Sequence, residues 1–177
     1  MNRTEEPRLN LRYPDLRSEV VRCCPAGHPL VLRCHPLFLE RGLPKPFPTL
    51  FWLACDHVHG TIARFESAGG VRLVQQRLRD DPALMAALHA DHLAYAAERE
   101  SLLTERDRAL FAEHGVRDGF ANRGIGGIRD LTSIKCLHLH YAHHLARGNT
   151  VGRLVDEHIA ITLCEQSPVD PGNGSVA

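Results

Sequence analysis

The densest run of side chains able to do chemistry is Lys135-Cys136-Leu137-His138-Leu139-His140-Tyr141-Ala142-His143-His144-Leu145. At about 100° per residue, a helix here puts Cys136, His140, His143 and Arg147 on one stripe. Ile134, His138, Tyr141 and Leu145 fall on the opposite, more apolar stripe, so His138 is expected on the buried face, where an imidazole needs a metal, a carboxylate or a carbonyl as partner. A thiolate and an imidazole four residues apart on a helix can converge on one metal ion, for the same geometric reason that paired histidines do.

One helix cannot complete a metal site, so the other thiols matter. Cys24 opens Cys-Pro-Ala-Gly-His-Pro, a turn whose Pro and Gly fix the backbone and leave the thiol at its edge. Cys55 ends the apolar run Thr49–Ala54 just before a helical pattern begins, where a helix N-terminus favours thiolate. The expected site gathers Cys24, Cys55 and Cys136 from three segments, with His138 or His140 as fourth ligand, around zinc or an iron–sulfur cluster. Thiolate-rich ligation suits both, and the spacing does not choose between them. Four protein ligands would make the site structural; three would leave a position open for catalysis. Cys23, Cys34 and Cys164 read as small apolar fillers.

A second reading uses the same residues without metal. Cys55 or Cys136 would be a nucleophile activated by a nearby His, oriented by Asp56 or Glu66, in a hydrolase or transferase acting on a phosphorylated small molecule. His92, Tyr95 and Arg99 share one helix face and could hold a small anionic ligand against the Cys136 helix; a plain helix–helix contact is the simpler alternative.

The elements that must position these residues divide at Cys55. Before it, Val20–Cys23 and Leu30–Cys34 read as strands joined by a tight turn, and Thr49–Ala54 as a third. Pro44, Pro46 and Pro48 keep the stretch between them non-helical. After it come helices: one stopping at Gly69-Gly70, one over Val71–Arg79, and a long one from Pro82, capped by Asp81, to about Glu113. A glycine-rich loop over 114–131 follows, then a helix capped by Thr132 that stops at Gly148-Asn149, and a last helical segment over Val151–Cys164. The class is therefore α+β: a small N-terminal antiparallel sheet of about three strands followed by four or five helices. Residues 1–18 read as a flexible lead-in, 19–166 as one domain and 167–177 as a flexible tail.

Composition closes off several function classes. Of 177 residues, 21 are Lys or Arg and 21 Asp or Glu, so no charge excess favours generic nucleic-acid binding. No segment offers the ~18 apolar residues of a membrane span, and the first ten residues lack a signal-peptide core; a cytoplasmic location is expected. In a reducing compartment the six cysteines are better read as free, metal-bound or catalytic than as disulfides.

The stretches Cys24–Pro29, Phe47–Cys55, Phe65–Gly70, His92–Arg99 and Lys135–His138 together resemble a bacterial family known as domain of unknown function 501, over about residues 20–160. His28 stands where an apolar residue is expected and Asp56 where proline is. The resemblance adds weight to Cys24, Cys55 and Cys136 as a set, because these three lie inside the shared stretches. It implies no reaction. Its association with genes for an exopolyphosphatase-like protein and a septum-formation protein suggests a third reading, an interaction module linked to polyphosphate or cell division.

Overall fold

The computed structural model describes residues 13–116 and 122–163. Strands β1 (Ser18–Cys23), β2 (Pro29–Cys34) and β5 (Phe51–Leu53) form an antiparallel sheet in the order β1-β2-β5. The turn expected between the first two is present: Cys24 N–H donates to the His28 carbonyl at 2.9 Å and Gly27 N–H to the Cys24 carbonyl at 2.8 Å. Gly27 sits at φ +82°, a conformation only glycine adopts without strain. The central strand carries Leu30, Val31 and Leu32, all buried, and the helix over Leu137–Arg147 covers the β5 side.

Between β2 and β5 the chain makes a second antiparallel pair, β3 (Leu37–Glu40) with β4 (Leu43–Pro46), turned at Arg41 (φ +54°) and Gly42 (φ +79°). Successive positive φ angles are what a two-residue hairpin requires. The three prolines hid this hairpin from a reading by pattern, although Pro44 and Pro46 lie within its second strand.

Six α-helices follow among the described residues: α1 (Asp56–Ser67), α2 (Gly70–Asp80), α3 (Pro82–Ser101), α4 (Glu105–Glu113), α5 (Leu137–Arg147) and α6 (Thr150–His158). The α+β class and the three-stranded sheet are as expected. Asp81 caps α3 as expected, its Oδ1 accepting from the N–H groups of Ala83 and Leu84, with Pro82 in the first turn.

Three boundaries differ, each for a local reason. The long helix breaks after Ser101 because Thr104 starts a new one. Its hydroxyl accepts from Asp107 N–H at 3.1 Å while the Asp107 carboxylate accepts from Thr104 N–H at 2.9 Å, a reciprocal cap. Burial pushes the Asp107 carboxyl up, but the Thr104 bonds, with His35 and Arg17 nearby, outweigh it and hold the group below its ordinary range. Thr104→Ala is expected to cost about 1 kcal/mol, read as a lower denaturant midpoint at unchanged slope.

Thr132 does not cap the cysteine-bearing helix. Its hydroxyl is held by Asp130 Oδ1 at 2.6 Å, and the helix begins at Leu137 with Cys136 as N-cap. The extended residues before it are clamped to α2 by the Gln75 amide, which donates to the Thr132 carbonyl and accepts from Ile134 N–H. Finally, α6 ends at His158; Cys164, like residues 1–12, 117–121 and 165–177, lies outside the described residues. No described helix is long and apolar enough to cross a membrane.

Candidate metal site

Helix α5 starts beside the C-terminal end of α1, and this junction brings together a thiol, an imidazole and a carboxylate. Among the described residues, Glu66, Cys136 and His138 form the one set of three potential ligand atoms lying within 4.8 Å of one another, each residue half-buried. Glu66 reaches from the last turn of α1 to the start of α5, where one carboxylate oxygen accepts from Leu137 N–H. Its other oxygen, Oε2, lies 3.1 Å from His138 Nδ1. The second ring nitrogen, Nε2, lies 3.1 Å from the His59 carbonyl oxygen, and the His59 ring packs on that of His138 at 4.2 Å between centroids.

These partners fix the imidazole. A carbonyl only accepts, so Nε2 carries its hydrogen and donates it to His59. Nδ1 faces a carboxylate, an acceptor, so the 3.1 Å approach places a cation between the two: a proton on an imidazolium Nδ1, or a metal ion taking its lone pair. A ring that donates its far N–H to a backbone carbonyl while its near nitrogen faces other donors is how metal-ligating histidines are commonly held. Burial pushes the Cys136 thiol up, and the nearby Glu66 adds to this; the Leu139 and His138 N–H groups at the helix start and Lys135 oppose it without reversing it. The thiolate therefore needs a neighbouring positive charge.

Of the five ligands expected from sequence, the structure brings Cys136 and His138 into this set and leaves Cys24, Cys55 and His140 outside it. Cys24 is buried in the β1–β2 turn. Cys55 is the N-cap of α1, at the other end of that helix from Glu66; eleven residues at 1.5 Å each separate them by about 16 Å. His140, one turn beyond Cys136, points into the core. It is 1% exposed, lies edge-on to His92 at 5.4 Å between centroids, and neither ring nitrogen has a hydrogen-bond partner.

The stripe assignment on α5 holds for Ile134 and Tyr141, which are buried, and fails for the histidines: His140 and His143 are buried and the His138 side chain is 16% exposed. Leu137, Tyr141 and Ala142 set the middle of the buried face, and packing against β5 on one side and α6 on another widens it to take in the flanking imidazoles. Of the remaining thiols, Cys34 is a core filler whose thiol burial pushes up to about 12, whereas Cys23 is exposed on the edge strand β1.

His92, Tyr95 and Arg99 do share one face of α3, and all three are fully buried. Most of their polar atoms are spent on backbone. His92 Nδ1 accepts from Ile125 N–H at 3.0 Å and its Nε2 lies 3.2 Å from the Ser133 carbonyl. Tyr95 accepts from Leu50 N–H at 2.5 Å, and Arg99 donates to the carbonyls of Pro48 and Arg123 at 3.1 and 2.7 Å. They fasten α3 to the β5 approach and to the glycine-rich loop, which occupies the groups expected to hold an anion. The ion pair between α3 and α5 is made instead by Glu98 and Arg147, at 2.8 Å.

Glu66 is the site residue that spacing does not reveal. Seventy residues separate it from Cys136, and in sequence it carries weight only as an orienting carboxylate for a thiol.

With this geometry in place, comparison with known proteins gives one match. A family model described as "Protein of unknown function (DUF501)" matches residues 20–157. The chain belongs to the DUF501 family. No curated protein and no solved structure matches it. The DUF501 match begins within β1, spans every residue of the candidate site and ends within α6.

Proposed function

We propose that this DUF501 protein binds one divalent metal ion of the zinc type through Cys136 Sγ, His138 Nδ1 and Glu66, with a fourth position left for a non-protein ligand. The observation that carries the reading is the meeting of an imidazole nitrogen, a carboxylate oxygen and a half-buried thiol within 4.8 Å of one another. One sulfur, one nitrogen and one oxygen suit a borderline ion. A single thiolate favours a mononuclear ion over an iron–sulfur cluster, which typically takes four cysteines. Tetrahedral zinc sets its donor atoms roughly 3.3–3.8 Å apart, so the 4.8 Å envelope needs a contraction of side-chain size only.

Three protein ligands and an open position are the arrangement of metal sites that polarise a bound substrate. The competing thiol-enzyme reading fits less well. Burial holds the Cys136 thiol in its neutral form, and the nearby Glu66 carboxylate adds to this, so a metal-free thiolate is disfavoured. Free thiols at Cys23, Cys24, Cys34 and Cys55 accord with a reducing, cytoplasmic setting.

The test is metal analysis of protein purified without chelator, followed by competition titration with zinc. Near-stoichiometric zinc is expected. Cys136→Ser and Glu66→Gln should each weaken it at least about 100-fold while far-ultraviolet circular dichroism stays unchanged, and Cys24→Ser and Cys55→Ser should leave it intact. Equal zinc affinity in wild type and Cys136→Ser would sink the proposal.

A further inference from the structure

Next to the candidate metal site lies an open groove of about 580 Å³, walled on one side by α2 and on the other by the extended segment that leads into Cys136. Gly69, Arg72, Gln76 and Arg79 line the first wall; Ser133 and Ile134 line the second. The groove abuts the site through the chain itself. Gly69 follows Glu66 by three residues, its N–H donating to the Glu66 carbonyl at 2.9 Å, and Ile134 precedes Cys136 by two residues, a span of at most about 7 Å. The far wall is fixed in place because the Gln75 amide bonds to both Thr132 and Ile134.

The charges in this groove are of one sign. Arg72 and Arg79 are exposed, and among the described residues neither has an ion-pair or hydrogen-bond partner. That contrasts with Arg17, Arg33, Arg108 and Arg147, each of which is paired with a carboxylate. The acids nearest Arg79 in sequence are engaged elsewhere: Asp80 accepts from Gln76 and Asp81 caps α3. Arg72 and Arg79 stand seven residues apart on α2, nearly two full turns, so both project from one face with Cα atoms about 10 Å apart. Their long side chains can close on a single group between them, and guanidinium forks match the oxygens of phosphate or carboxylate.

We infer that this groove is the substrate-anchoring half of the site: Arg72 and Arg79 bind the oxyanion group of a small substrate whose reacting end reaches the metal's open position. The inference rests on the metal reading for the role of the site, but the groove is testable without it. Inorganic phosphate and succinate, standing for the two oxyanion chemistries, are titrated by calorimetry into metal-free and zinc-loaded protein. The chains compared are wild type, Arg72→Ala, Arg79→Ala and Arg77→Ala. Arg77 is exposed on the same helix but does not line the groove, so its variant removes the same charge from the wrong place.

Metal-free wild type is expected to bind one of the two anions, Arg72→Ala and Arg79→Ala to weaken it about tenfold each, and Arg77→Ala to change it less than twofold. Zinc should tighten the anion, and the anion zinc, by the same factor, while the arginine variants alone leave zinc affinity as it was. The anion preferred names the substrate's group. Equal weakening by Arg77→Ala, or no binding of either anion by metal-free wild type, overturns the groove assignment. Loss of zinc binding with anion binding intact overturns the metal reading alone.

Discussion

Gly152→Ala is expected to remove roughly 3–5 kcal/mol of stability, a large share of what a domain this size possesses. Gly152 lies in α6 where that helix turns back against α5, and a Cβ built on it would stand 2.0 Å from His144 Cγ and 2.1 Å from His144 Cβ. The second distance decides the outcome. A clash with the end of a side chain is relieved by a rotamer change, but a clash with Cβ moves the backbone of α5. His144→Ala should therefore fail to rescue the variant, since alanine keeps the offending atom.

The two helices are locked around this contact. Asn149 Oδ1 caps α6 by accepting from Gly152 N–H at 2.6 Å, and its Nδ2 donates to the His140 carbonyl at 2.8 Å. Asp156 takes hydrogen bonds from Tyr141 at 2.8 Å and from His144 at 3.0 Å. Helix α5 has little room to yield. The measurement is the thermal midpoint, expected to drop by roughly 6–20 °C for a chain of this length. A shift under about 3 °C would mean that the helices are not this close.

The second large effect is a loss of stability in mild acid. His143 is nearly buried, stacked on Phe51 at 5.5 Å, and its Nδ1 accepts from Asn149 Nδ2 at 3.1 Å, an amide nitrogen that can only donate. Burial lowers its pKa from 6.5 to about 4. His92 is shifted in the same direction by burial, and its Nδ1 is likewise committed as an acceptor, to Ile125 N–H. His140, fully buried with no hydrogen-bond partner at either ring nitrogen, is lowered by burial as well.

In the unfolded chain each of these rings takes up a proton near pH 6.5; in the folded chain His143 refuses it until about pH 4. Across that window the unfolded state binds more protons, so stability falls as pH falls; above pH 6.5 the effect vanishes. For His143 alone the full window is worth on the order of 3 kcal/mol, with His92 and His140 adding in the same sense. Urea unfolding at pH 7 and pH 4.5 should show a clear drop in midpoint for the wild type. His143→Gln, which keeps an acceptor and cannot titrate, should show a shallower one. An unchanged pH dependence in that variant would mean that His143 is not the shielded group described.

What the sequence alone conveys is what local physics decides. Asp81-Pro82, Gly69-Gly70 and the Pro-Ala-Gly turn each set an element boundary from their own backbone chemistry, and each stands where expected. The break at Thr104 is local too, but its cap uses Asp107 where the familiar pattern has Glu or Gln, and Leu102-Leu103 continue the apolar run across it. Which face of α5 is buried is not local. His138 lies on the stripe with more apolar neighbours, yet the positions of α1, α6 and β5 turn His140 and His143 inward. Glu66 joins Cys136 and His138 only when α1 and α5 dock, and no spacing rule spans the seventy residues between them. The thiols of Cys24 and Cys55 share chemistry with Cys136 but not a location.

The two prolines of β4 have a consequence for solubility. In a two-residue hairpin closed by the Glu40–Leu43 pair, alternate pairs exchange hydrogen bonds, so Leu39–Pro44 and Leu37–Pro46 fall at the positions that do not. There the backbone nitrogen of the β4 residue faces away from its partner, toward whatever strand might join from outside. Proline has no N–H to offer such a strand. The hairpin also exposes Leu39 and Leu43, 40% and 52% accessible, which makes it the natural place for chains to stack edge to edge. Pro44 and Pro46 leave the hairpin's own pairing whole while denying its outer edge the donors that a growing aggregate would need.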